Sequence, residues 1–287
     1  MIKLKVKETN TYPLLIHAPG HSSSDHGEIF VTLCHLLSLQ ILSLKKIPED
    51  HDSSDLDVTI ITWKGGPRYK NKDTLIEQFA KLYSIPTVIL PYPDIDNFWE
   101  GTRHAKITLT TELLKQDIIK TRYFMYLDIG DVLWLESPKK ILERYKEHFS
   151  GKIVFNAERN HYPKDDRLAD MNMPDDLREK WNKVYEFDLA KESTSFRYLN
   201  SGMAIGEVSM LKDFMGYIVD ENNCTGYHHI PHLVDTIPIK IAQYDNRDCV
   251  VTDDNCKLFL CLFNCVAPSL KHQELHMSDV EVSYTSY

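Results

Sequence analysis

Between Asp57 and Ala157 short β-branched runs alternate with longer amphipathic ones, and that alternation leaves few folds open. Asp57-Val-Thr-Ile-Ile-Thr62 reads as a buried strand closed by Trp63-Lys-Gly-Gly-Pro67. Asp73 to Tyr83 carries Leu75, Ile76, Phe79 and Leu82 at helical spacing behind an Asp-Thr start. Pro86 to Leu90 reads as a second strand, His104 to Ile119 as a long amphipathic helix and Tyr123 to Leu127 as a third strand. Ser137-Pro138, a good N-cap and N1 pair, opens a helix reaching about His148, and Lys152 to Ala157 is a fourth strand. This β-α-β-α-β-α-β order predicts an α/β fold with a Rossmann-like, mostly parallel sheet flanked by helices. Such sheets bind ligands outside the carboxyl ends of their strands, where Thr62, Asp128 and Glu158 lie.

Beyond Ala157 the pattern loosens. Tyr162 to Glu192 is polar and reads as an active-site loop with a short helix near Asp175 to Tyr185. Arg197 to Gly206 reads as strand-turn-strand and Met210 to Val219 as a helix. From Ile237 the chain looks β-rich, with strands expected at Val250-Val251 and Leu258 to Phe263. A length of 287 residues without repeat, low-complexity tract or linker fits a single domain over 1–287. A net charge of −9 supplies no basic face for nucleic acid. An acidic chain that holds a phosphate ligand needs a local offset, for which a divalent cation is the usual device.

The apolar stretch Ile29 to Leu44 is interrupted by Thr32, His35, Ser38, Gln40 and Ser43, short of the ~20 apolar residues of a membrane span. Met1 to Lys7 alternates apolar and basic residues, as a strand does and a secretory signal does not. A cytoplasmic protein without a transmembrane span is therefore expected. The six cysteines form no C-x-x-C pair and read as reduced thiols.

The sharpest chemical feature is Tyr126-Leu-Asp128-Ile-Gly-Asp131-Val. Two carboxylates just beyond a buried strand are hard oxygen ligands suited to Mn²⁺ or Mg²⁺, which would bridge to a diphosphate. Alternatively the segment is a polar strand-to-helix turn with Asp131 as a cap. The second feature is Arg197-Tyr-Leu-Asn200-Ser201-Gly202, which permits a tight backbone with an amide and a hydroxyl for a sugar, or is a plain turn.

Taken together and in this order, these motifs resemble the glycosyltransferase domain of the procollagen lysyl hydroxylases. Phe98-Trp-Glu-Gly-Thr-Arg-His-Ala-Lys106 is similar to that family's Gly-rich segment ending in a Lys. Asp128-Ile-Gly-Asp131-Val resembles its metal-binding aspartate pair. Val154-Phe-Asn-Ala-Glu158, followed by Tyr162-Pro163 and Asp166-Arg-Leu-Ala-Asp170, resembles its acceptor-side loop. Arg197 to Gly202 is nearly its signature. The resemblance covers Asp57 to about Val219 and implies a GT-A fold, a UDP-sugar donor with Mn²⁺ (or Mg²⁺), and a glycan or glycosylated acceptor. By the same resemblance Thr62, Trp63, Lys106, Ser201 and Gly202 would bind the donor, Asp128 and Asp131 the metal, and Glu158 and Asn200 sugars. Residues 55–220 would then be the nucleotide-sugar and metal core, and 221–287 the acceptor side and C-terminal strands.

The chain departs from that pattern twice. Where the family has an Asp-rich run, it reads Tyr227-His-His-Ile-Pro-His232, so His232 stands as a catalytic candidate or a solvated loop residue. Asp253-Asp-Asn-Cys256-Lys-Leu-Phe259 is similar to a segment that in the family precedes a strand bearing the third metal ligand, a His. No such strand follows here, but Tyr12-Pro-Leu-Leu-Ile-His17-Ala-Pro-Gly20 resembles it. A circular permutation is the expectation, with the first ~45 residues supplying the late piece and His17 the third ligand; His272 and His276 are the alternatives. The expected activity is metal-dependent transfer from a UDP-sugar to a hydroxyl, retaining if the family is followed. A metal-dependent phosphohydrolase and a non-catalytic nucleotide-sugar binder are the rival classes.

Overall fold

The computed structural model describes residues 2–18, 56–65, 73–91, 103–163, 173–191, 194–220, 235–262 and 280–284. Its strands are β1 (Ile2–Val6), β2 (Leu15–His17), β3 (Val58–Lys64), β4 (Thr87–Pro91), β5 (Tyr123–Leu127), β6 (Val132–Trp134), β7 (Ile153–Glu158), β8 (Tyr198–Glu207), β9 (Val250–Thr252), β10 (Phe259–Cys261) and β11 (Val280–Tyr284). The helices are α1 (Leu75–Leu82), α2 (Arg103–Lys115), α3 (Pro138–Phe149), α4 (Asp175–Leu189), α5 (Val208–Val219) and α6 (Thr236–Asp245). Among the described residues none of these helices is long and apolar enough to cross a membrane.

The main sheet has six strands in the order β4-β3-β5-β8-β7-β9. All its pairings are parallel except those of β8, which runs antiparallel to both β5 and β7. Alternate side chains of a strand leave opposite faces, and the apolar core divides accordingly. Ile61, Trp63, Phe124 and Tyr126 join the cluster under α2, α4, α5 and α6. Val58, Ile60, Met125 and Leu127 join the one under α1, α3 and a second sheet. That second sheet has the order β10-β2-β6, with β10 parallel and β6 antiparallel to β2. A separate antiparallel ladder joins β1 to β11, from Ile2 opposite Tyr284 to Val6 opposite Val280.

Local chemistry explains the helix starts. Thr74 and Glu77 form a reciprocal capping box on α1, and Lys64 donates to both Glu77 oxygens at 2.8 and 2.9 Å, tying α1 to the end of β3. Ser137 caps α3 ahead of Pro138, as expected.

Four sequence expectations are corrected. Asp131 caps no helix: it leads into β6, which pairs with β2. Arg197 to Gly206 contains no turn; β8 is one ten-residue strand. Its register with β7 jumps from Asn156 opposite Asn200 to Phe155 opposite Ala204, so 201–203 bulge from that ladder. The region from Ile237 is helical up to Asp245 before the strands begin. Apolar residues at 237, 239 and 241 mimic strand alternation, but every residue from Thr236 to Gln243 is buried, so no polar face marks the helical period. Finally, the short helix expected near Asp175 to Tyr185 starts there but runs on to Leu189, as α4.

Candidate metal centre

Three segments remote in sequence meet at one point. His17 ends β2, Asp128 follows β5, and Asp131 precedes β6. The turn between the aspartates is fixed by backbone bonds: Asp128 N donates to Gly202 O at 2.8 Å, and Ala18 N to Asp131 O at 2.9 Å. On the other side Leu262 N donates to His17 O at 2.8 Å. His17 Nε2 consequently lies 3.4 Å from Asp131 Oδ1 and 3.7 Å from Asp128 Oδ2, and the three ligand atoms fall within 4.8 Å of one another. The ring is 2% exposed, whereas the two carboxylates keep 25% and 18% of their side-chain surface open. Two carboxylates and an imidazole could hold a divalent cation, and this mixed oxygen and nitrogen set suits Mn²⁺ better than the all-oxygen preference of Mg²⁺.

The tautomer of His17 is tied to the orientation of the Asn156 amide. Asn156 Nδ2 lies 3.5 Å from His17 Nδ1, and Asn156 Oδ1 has no hydrogen-bond partner among the described residues. The two orientations of an amide are isosteric. Turned over, Asn156 accepts from Nδ1–H and leaves the Nε2 lone pair aimed at the carboxylates, as a ligating histidine requires. Burial lowers the basicity of His17, but the Asp131 and Asp128 charges outweigh it and hold its pKa above the ordinary value. Burial holds Asp128 above the usual carboxylate range against the Lys106 ammonium, and Asp131 adds to the rise.

Lys106, on α2, reaches Asp128 as well. Its Nζ lies 2.5 Å from Asp128 Oδ1, 3.7 Å from Asp235 Oδ2 and 5.5 Å from the centre of the Trp63 ring. Asp235 accepts from Ser201 Oγ at 3.3 Å, and Ser201 Oγ is also 3.1 Å from Thr236 Oγ1. Trp63 sits edge-on to Tyr126 with ring centres 3.9 Å apart. Thr62 is not beside it: as the neighbour of Trp63 on β3, its side chain leaves the opposite face of the sheet.

Farther along β7 and β8 lies a second polar group. Glu158 stands opposite Tyr198, and Asn156 opposite Asn200, so all four side chains leave one face. The Asn200 side chain hydrogen-bonds Glu158 and accepts from Gly202 N at 2.9 Å. Burial lifts the Glu158 pKa to about 7 although Lys240, Asn200 and His17 oppose the rise. Burial also brings Lys240 down to about 8, opposed by Glu158 and Asp188. Lys240 Nζ donates to Tyr162 O at 3.0 Å and lies 5.5 and 5.8 Å from the Trp181 and Tyr198 ring centres. His161, packed against Trp181, Tyr185 and Tyr198, is held neutral by burial, its pKa near 3.

The structure thus gathers His17, Asp128, Asp131, Lys106, Ser201 and Gly202 at one end of the sheet, with Asn200 and Glu158 alongside. His228, His232, His272, His276, the segment 98–102 and the segment 166–170 lie outside the described residues. Sequence reasoning missed Asn156, Asp235 and Lys240. Asp235 had a signal, an acidic residue opening a helix; a lysine inside an apolar run was the signal for Lys240. Of the cysteines, Cys249 is exposed, and Cys256 and Cys261 are buried. No protein-family model matches the chain, and comparison with curated proteins finds no match either.

Proposed function

We propose that this chain is a metal-dependent glycosyltransferase of the GT-A type, moving a sugar from a UDP-sugar to a hydroxyl of a glycan or glycosylated acceptor. The observation that carries the reading is the convergence of His17, Asp128 and Asp131 beside Lys106 at the carboxyl end of β5. His17, Asp128 and Asp131 would hold Mn²⁺, which when bound neutralises charge on a leaving diphosphate. Lys106 adds a fixed positive charge next to that position, oriented by Asp128 and Asp235. Trp63 would offer uridine its buried Nε1, which has no hydrogen-bond partner among the described residues. Glu158 and Asn200 would meet the sugars. A carboxyl group with a pKa of about 7 can take a proton from a hydroxyl at neutral pH.

The resemblance to the procollagen lysyl hydroxylase glycosyltransferase domain, in permuted order, belongs to the same proposal. What supports it is that β2, which carries His17, lies parallel beside β10, the strand that continues the Asp253 to Phe259 segment. The β2 strand thus stands next to the element that the His-bearing strand follows in that family.

The test is incubation with a panel of UDP-sugars, with and without Mn²⁺, following melting temperature and products. A ligand at 100 times its Kd adds about 2.7 kcal/mol to stability. Mn²⁺-dependent release of UDP is expected. Release of inorganic phosphate would instead make the chain a hydrolase, and stabilisation without turnover a binding module.

A further inference from the structure

We propose that Asn200-Ser201-Gly202 is the scaffold of the metal centre, with Gly202 as the seat of the His17 ring. This rests on the reading that His17, Asp128 and Asp131 hold a cation. A Cβ on Gly202 would lie 2.1 Å from Cε1, 2.5 Å from Nε2 and 2.7 Å from Nδ1 of His17, all closer than real Cβ contacts. The His17 ring is 2% exposed, and its strand is clamped between β10 and β6.

The backbone does not ask for glycine here. Gly202 lies outside the left-handed region where glycine is favoured, so it is the neighbouring ring, not a turn, that excludes a side chain. The bulge at 201–203 places this residue against β2 while its carbonyl accepts from Asp128 N at 2.8 Å. Gly202 therefore touches one proposed ligand with its missing side chain and holds a second by its carbonyl. The other two residues of the triplet serve the same centre. Asn200 Oδ1 accepts from Gly202 N at 2.9 Å, and Ser201 donates to Asp235, the second acidic neighbour of Lys106. The motif that reads in sequence as a sugar contact is, by this geometry, the part that aims His17 and Asp128 at one point. Gly202 is a positioning residue.

The experiment is a cycle of four full-length proteins: wild type, Gly202→Ala, His17→Ala and the double variant. Each is melted in chelator and then titrated with Mn²⁺ alone, followed by electron paramagnetic resonance. In the wild-type background Gly202→Ala is expected to lower Tm by about 3–8 °C, the usual size of an overpacked site. In the His17→Ala background the same change is expected to leave Tm level or raise it slightly, because alanine restricts the unfolded chain. Gly202→Ala should also bind Mn²⁺ at least ~10-fold more weakly than wild type.

Equal losses of Tm in both backgrounds overturn the seat of the His17 ring, and wild-type Mn²⁺ affinity in Gly202→Ala overturns the scaffold role. Should Gly202→Ala not fold, a folded double variant supports the interlock and an unfolded one overturns it. A wild type that binds no Mn²⁺ overturns the metal reading and the scaffold role with it; loss of coupling in the Tm cycle alone overturns only the seat of His17.

Discussion

Two clusters in this protein pair acids with a lysine, and they are built in opposite ways. At the His17–Asp128–Asp131 cluster, Lys106 touches a carboxylate oxygen at 2.5 Å, and both aspartates keep part of their surface open. At the Glu158–Lys240 cluster, Glu158 is 3% and Lys240 0% exposed, and the ammonium gives its hydrogen bond to a backbone carbonyl and its flanks to aromatic rings. The open cluster of His17, Asp128 and Asp131 brings together groups that could hold a cation. A sealed one has already been compensated by the fold, since a lysine is almost never fully buried without a partner.

Substitutions that separate the clusters should therefore separate binding from stability. The largest effect is expected from Asp131→Asn. It should weaken Mn²⁺ at least ~100-fold and remove Mn²⁺-dependent UDP release, while Tm in chelator changes little, because Asp128 loses a repelling neighbour as His17 loses an attracting one. Calorimetric titration with a parallel melt reads both. A fall of Tm without loss of metal affinity would mean that this cluster, too, is structural.

Next comes Lys240→Met, which removes the buried ammonium facing Glu158 and leaves the Tyr162 carbonyl without its donor, while Asp188 keeps its ion pair with Lys191 at 2.9 Å. A cost of about 3–5 kcal/mol is expected in denaturant unfolding. Lys106→Met, at the open cluster, should cost far less stability and more turnover. If the two lysine variants behave alike, the contrast fails.

A smaller effect belongs to Glu158 and appears in the pH dependence. Its folded pKa, about 7, lies above the ordinary glutamate value of 4.5, so the folded state holds the proton more tightly than the unfolded chain does. That contribution is complete below about pH 4.5 and is lost as the pH rises through 7. Its size is on the order of 3 kcal/mol at most. Glu158→Gln should flatten the wild-type decline in stability between pH 5 and 7, measured by urea unfolding at a series of ~half-unit pH steps. An unchanged slope would place Glu158 in solvent.

How much of this was readable beforehand depends on what each residue displays in the chain. The strands β3, β4, β5 and β7 and the helices α1 and α3 announce themselves because each has one apolar face or a run of β-branched residues and a clear cap. Asp128 and Asp131 are visible because they follow a strand in a parallel sheet, where ligands collect. His17 entered only through the resemblance of Tyr12 to Gly20, since nothing local predicts that β2 will lie between β10 and β6. Thr236 to Gln243 conceals its helix by being buried on all sides, and Lys240 looks there like an interruption rather than a buried charge. The bulge in β8 depends on its partners β5 and β7 and on the ring of His17, none of which a turn-like Asn-Ser-Gly reveals.

The mildest substitution tests how the open cluster is aimed. Asn156 is buried, directly opposite Asn200, and its amide faces the nitrogen of His17 that points away from the aspartates. If its oxygen accepts from Nδ1–H, Nε2 presents a lone pair to the metal. Asn156→Ala removes that acceptor and should weaken Mn²⁺ by about 10- to 100-fold, the range for partners that orient a ligating histidine. Asn156→Asp keeps an acceptor in the same place and should retain more affinity than alanine at neutral pH. The comparison matters because both variants lose the amide N–H, whereas only one loses the acceptor. Mn²⁺ titrations in which alanine and aspartate weaken binding equally would show that His17 is oriented by its strand alone.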